Sequence, residues 1–164
     1  MVREDHRASP RFVVTALMAI VLMALAIRFP KLDERPLHGD EANQMVKAGI
    51  LLETGRYVYD PHEHHGPTLY YLTLPSFWGH GVTTFAQSEE EDYRIVPVVF
   101  GVLLVLLLWP FSQGLGRMAS VFAALLTAAS PAMVYYSRYY IQEMLLVVFT
   151  FLVIVAGWRW FASG

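Results

Sequence analysis

Three clusters of ionisable and polar residues interrupt an otherwise apolar chain of 164 residues, and each carries side chains suited to a different piece of chemistry. His38-Gly39-Asp40-Glu41 sets two carboxylates side by side. A carboxylate at a partly desolvated boundary can have its pKa moved far enough to serve as a general base. The same residues also suit a purely structural duty, with Asp40 capping a helix and Glu41 favouring its dipole. Between Asp60 and His65 lie three histidines and two acids in six residues. That density is metal-like, yet zinc on one short loop needs a scaffold and a further ligand, and a solvated turn ahead of a helix has the same composition. His65-Gly66-Pro67 could also aim an imidazole at a membrane surface. In the third cluster Arg138 stands among Tyr135, Tyr136, Tyr139 and Tyr140, with Glu143 close behind. An arginine ringed by tyrosines suits an anionic phosphate at headgroup level. A glutamate at the mouth of an apolar helix is costly unless it faces protein or a cavity. The alternative is an interface anchor for Arg138 and an ion pair for Glu143.

The elements that must position these clusters are long apolar runs. The composition is 55% apolar and only 16% charged, against about 25% charged in soluble domains. No charge occurs from Phe12 to Ile27 or from Met144 to Trp158, and Arg117 is alone between Ile95 and Ser137. A soluble helix keeps a wet face; these segments have none. Spans are therefore expected at about 12–28, 95–111, 118–136 and 141–158, the third split by Pro131. The first uncharged run corresponds to about 24 Å of helix, short of a ~30 Å hydrocarbon core, and Arg11 and Arg28 can snorkel at its ends. A cleaved signal peptide ending near Ala24-Leu25-Ala26 is the alternative, though its apolar run is long for one.

Arg3, Arg7 and Arg11 precede the first span, Arg117 separates the second and third, and Arg159 follows the fourth. With alternating spans these all fall on one side, which the positive-inside rule makes cytoplasmic. The loop 30–93, with eleven acids against four bases, then faces outward. Within it, Asp40 and Gly55 bracket a helix whose Ala42, Met45, Val46, Gly49, Ile50 and Leu52 form one apolar stripe. A second amphipathic stretch runs from Pro67 to Trp78, with a bend expected at Pro75. Both are expected to lie along the membrane surface. The fold expected is thus all-α integral membrane: four transmembrane helices plus two interfacial helices in a long extracytoplasmic first loop. The absence of cysteine excludes disulfides and thiolate chemistry, and no basic patch suggests nucleic acid.

The order of the clusters resembles the amino-terminal part of a GT-C glycosyltransferase. That superfamily includes protein O-mannosyltransferases and lipid A sugar transferases. The closest likeness is to the subfamily associated with lipid-linked sugar flippase activity. The residues that carry it are Arg35-Pro36-Leu37-His38-Gly39-Asp40-Glu41-Ala42, Tyr59-Asp60-Pro61, His65-Gly66-Pro67-Thr68-Leu69-Tyr70-Tyr71-Leu72, Tyr93-Arg94-Ile95-Val96-Pro97, and Ser130-Pro131 through Arg138 to Glu143.

The resemblance implies transfer of a hexose or pentose from a polyprenyl-phosphate donor to a lipid, glycan or protein acceptor on the extracytoplasmic face. It makes Asp40 the base that activates the acceptor, with Glu41 holding the acceptor or ordering the site. Arg138, His65, Tyr70 and Tyr139 become candidates for binding the donor and its phosphate. Glu143, with Asp40, would hold a divalent metal ion in those branches that use one. The resemblance also implies that residues 1–164 form a single amino-terminal membrane module of a longer protein. The rival expectations are a non-catalytic accessory of lipid-linked sugar export and a small transporter or scaffold subunit.

Overall fold

The computed structural model describes residues 9–62, 65–110 and 116–163. Arg3, Arg7, Glu63, His64 and residues 111–115 lie outside the described residues. Among those described, the chain is all-helical: α1 (Pro10–Arg28), α2 (Gly39–Thr54), α3 (Thr68–His80), a 3-10 turn (Phe85–Gln87), α4 (Glu90–Leu107), α5 (Arg117–Ala129), α6 (Pro131–Tyr136) and α7 (Glu143–Ser163).

Helix α4 is the central post, packing against α1, α3, α5, α6 and α7. Its two halves serve different cores. Val102 and Val105 meet Val13, Ile20 and Ala24 of α1 and Val121, Ala124 and Ala128 of α5; the alanines let these helices approach closely. Tyr93 and Val96, nearer its start, join Met45, Ala48 and Leu51 of α2, Leu69 and Phe77 of α3, and Tyr140. Where α4 passes the end of α6, Gly101 leaves no room for a side chain: a Cβ there would fall 2.4 Å from that of Ser137.

Helices α1, from Arg11 on, and α7 are long and apolar enough to cross a membrane. Helix α4 opens on Glu90, Glu91, Asp92 and Arg94, so its apolar part begins only at Ile95. The stretch expected as a third span is two helices. Pro131 disfavours a helical Ser130, which sits at φ −59° and ψ 122°, and the Ser130 hydroxyl accepts from the Met133 amide to start α6 afresh. Arg28, expected to snorkel, is instead buried. Its Nη1 donates to the Ala128 carbonyl at 2.9 Å and its Nη2 to that of Thr127 at 3.2 Å, satisfying carbonyls that the end of α5 leaves open.

Helix α2 begins one residue before the expected cap. His38 Nδ1 accepts from the Asp40 amide and the Glu41 carboxylate reaches back to the His38 amide, a capping box. Gly55 closes the helix in the left-handed region at φ 67°. The expected apolar stripe is divided. Met45, Ala48 and Leu51 turn inward with Glu41 and Gln44, whereas Val46 and Ile50 face out. Anchoring of the Glu41 carboxylate in the interior sets this rotation.

Candidate active site

Glu41 is fully buried and its two oxygens gather donors from three separate stretches of chain. Arg94 forks onto it, Nε to Oε1 at 3.0 Å and Nη2 to Oε2 at 3.1 Å. Arg35 Nη2 reaches Oε2 at 2.6 Å, and the Tyr140 amide donates to Oε1 at 2.9 Å. Arg94 spends its remaining Nη1 on the carbonyls of Leu32 and Arg35, at 2.6 and 3.1 Å. Burial alone would raise the Glu41 pKa, but the bonds from Arg94, Tyr140 and Arg35 outweigh it and hold the carboxylate below its usual range. So engaged, Glu41 is a clamp that fastens α2, the segment before it, α4 and the α6–α7 connection together.

The neighbouring carboxylate has the opposite environment. Asp40 is 70% exposed and lines an open cleft of about 470 Å³. Asn43 and Gln44 from the next turns of α2 share its wall, and His65 enters from the loop before α3. The other side comes from Tyr136, Tyr139, Gln142 and Glu143. Tyr139 bridges the two sides, its hydroxyl 2.6 Å from His38 Nδ1 and 3.4 Å from Asp40 Oδ2. Its ring lies beneath the Arg35 guanidinium, 4.6 Å from the centroid. Burial, then the charges of Asp40 and Glu41, push the Tyr139 phenol up to about 12, so at neutral pH it keeps its proton.

Four of the expected site residues thus meet in one cleft: Asp40, His65, Tyr139 and Glu143. Glu41 lies behind it. Tyr70 is buried, its hydroxyl donating to Gln44 Oε1 at 2.5 Å, and it backs the cleft through that partner. Arg138 turns elsewhere, donating to the carbonyls of Ile27 at 3.1 Å and Lys31 at 2.8 Å, where the chain leaves α1 and Lys31 adopts a left-handed φ of 59°. Asp40 and Glu143 offer the hard oxygen ligands a divalent ion prefers. Among the described residues, however, no three histidine or carboxylate side chains gather as a metal set, so no chemical step here is routed through one. Sequence reasoning gave no role to Arg94, Arg35, Asn43, Gln44 or Gln142. For Arg94 a signal existed, since an arginine at the mouth of an apolar helix requires a buried acid or carbonyls.

A helical chain whose acids converge on one cleft fits the GT-C class of glycosyltransferase, and comparison with known families bears on this directly. The profile described as dolichyl-phosphate-mannose-protein mannosyltransferase matches residues 73–163, more than half the chain. The chain belongs to that family, and the class of activity is glycosyl transfer. No curated protein and no solved structure matches it. The matched segment includes Arg94, Tyr139, Gln142 and Glu143, whereas Asp40, Glu41 and His65 precede it.

Proposed function

We propose that this protein is a membrane glycosyltransferase that moves a hexose or pentose from a polyprenyl-phosphate donor to a lipid, glycan or protein acceptor at the outer face. The observation that carries the reading is the shared cleft: an exposed carboxylate, an imidazole, a protonated phenol and a second carboxylate border one volume beside the buried clamp. In this reading α1, α4, α5 with α6, and α7 are the four spans. Both termini are cytoplasmic, and α2, α3 and the cleft lie outside.

Asp40, exposed in the cleft, takes the proton of the acceptor hydroxyl as that oxygen bonds to the sugar's anomeric carbon. The bond from this carbon to the phosphate oxygen breaks, and the polyprenyl phosphate leaves with the electron pair. His65 and Tyr139 supply hydrogen-bond donors to the departing phosphate, where charge grows. Amide groups of Asn43 and Gln44, which line the cleft, suit sugar hydroxyls. Glu41, with every oxygen already accepting, orders the site rather than reacting. Arg138 braces the end of α1 against the α6–α7 connection.

The test is Asp40→Asn in the full-length protein, assayed for sugar transfer from a polyprenyl-phosphate hexose. Removing a general base typically costs 10²–10⁴-fold, so at least ~10²-fold loss is expected. A wild-type rate in this variant would remove Asp40 from the chemistry.

A further inference from the structure

Among the described residues His65 is the one imidazole in the lining of the cleft, and two independent side chains hold the backbone on which it sits. The Tyr57 hydroxyl donates to the His65 carbonyl at 2.6 Å. The Gln142 amide nitrogen donates to the next carbonyl, Gly66, at 2.9 Å. Tyr57 is backed by the buried Tyr70 ring, with centroids 5.7 Å apart. The His65 carbonyl lies in the peptide plane that contains the His65 Cα and the Gly66 carbonyl in the plane after it, so the two bonds restrain the carboxyl side of His65 and the backbone of Gly66. The two anchors differ in origin. Tyr57 belongs to the same loop region as His65, whereas Gln142 lies beside Glu143 at the entry to α7. Its amide therefore sets the distance between the His65 loop and the opposite wall of the cleft.

We infer that Gln142 is a positioning residue for donor binding: through the Gly66 carbonyl it holds His65 where the imidazole meets the donor phosphate. This rests on the role of His65 proposed above. It requires more of Gln142 than filling space, because a nonpolar side chain of equal length would occupy the same volume yet leave the Gly66 carbonyl without its donor.

The experiment is a double-mutant cycle on full-length protein in lipid nanodiscs, with binding of a short-chain polyprenyl phosphate as the probe and transfer kinetics alongside. Gln142→Met should weaken the Kd about tenfold, and His65→Ala similarly. The pair together should be no weaker than His65→Ala alone, since both remove one interaction. In transfer, Gln142→Met should raise the donor KM and leave kcat within twofold, a split that general loosening of the fold does not produce. Gln142→Asn retains the amide but draws it back by one methylene, so it carries the same expectation should the methionine variant not fold. A wild-type Kd in the Gln142 variants, or losses that multiply in the double variant, would overturn the inference. If Asp40→Asn transfers at the wild-type rate, the proposed chemistry falls while the binding cycle still decides the role of Gln142.

Discussion

The Arg94 guanidinium and the Glu41 carboxylate face each other as parallel forks, with both contacts between 3.0 and 3.1 Å and neither side chain more than 1% exposed. The pair ties α2 to α4 beside the cleft, and the first prediction concerns its removal. Deleting one partner of a buried ion pair leaves the other uncompensated, at a cost of about 3–5 kcal/mol. Arg94→Met should therefore lower the thermal midpoint sharply and reduce the folded yield. Arg94→Lys should not rescue it, because an ammonium cannot reproduce the two-pronged contact. Thermal unfolding in detergent reads both; a lysine variant as stable as wild type would show that the fork geometry is unimportant.

Two ionisable groups give the stability opposite pH dependences. The Glu41 pKa is depressed on folding, so its contribution is complete above the unfolded carboxylate range and disappears as pH falls through the folded value. His80, beside Asp92, is raised, first by that hydrogen bond and then by the aspartate charge. Its contribution is complete below the unfolded imidazole range and fades as pH rises through the folded value. Midpoints measured across pH should lose the acidic dependence in Glu41→Gln and the near-neutral one in His80→Asn.

Gly101→Ala should destabilise the protein by about 1–3 kcal/mol, the ordinary penalty for overpacking. The new methyl would meet Ser137 Cβ at 2.4 Å and the Arg28 Nε at 3.3 Å. Ser137→Ala should not relieve it, because the clash is with the β-carbon itself. Gly79→Ala, with nothing within 4 Å of the added atom, is the control and should be neutral or stabilising. Equal midpoints for the two alanine variants would show that α4 and the end of α6 are not in close contact.

Arg138 and His65 were alike as sequence candidates for the donor phosphate, and kinetics should separate them. Arg138→Ala should lower the thermal midpoint, having removed the donors to Ile27 and Lys31, and leave the donor KM within about twofold. His65→Ala should raise the KM with little change in midpoint. A large KM effect from Arg138→Ala alone would return the phosphate to the arginine.

Local signals in the sequence were good guides wherever a residue acts on its immediate neighbours. Gly55 ends α2, Pro67 precedes α3, and Ser130-Pro131 divides α5 from α6 because each constrains the backbone on the spot. The uncharged runs correspond to helices, although the acidic first turn of α4 and the break at Ser130 leave, among the described residues, only α1 and α7 of full span length and apolarity. The cap of α2 fell to His38 rather than Asp40, a choice between adjacent acceptors that spacing cannot make. What escaped is what depends on distant partners. Apolar spacing put Met45, Val46 and Ile50 on one stripe of α2, whereas Met45 turns inward beside Glu41, which Arg94 holds, and Val46 and Ile50 face out. Arg138 bonds across to the carbonyls of Ile27 and Lys31 at the end of α1, and no pattern around position 138 names those partners. Asp40, His65, Tyr139 and Glu143 were each recognisable by type and order. Their meeting in one volume is a property of the assembled bundle.

The clamp on Glu41 joins residues 53 and 99 positions apart in the chain. As synthesis proceeds from the amino terminus, the acid emerges long before Arg94 and longer still before the Tyr140 amide. Until both arrive, α2 carries a charge it cannot bury, so it has no reason to adopt its final rotation, and Asp40 beside it has no wall to face. The cleft beside Asp40 is thus incomplete until Tyr139, Gln142 and Glu143, which form its other wall, have been made.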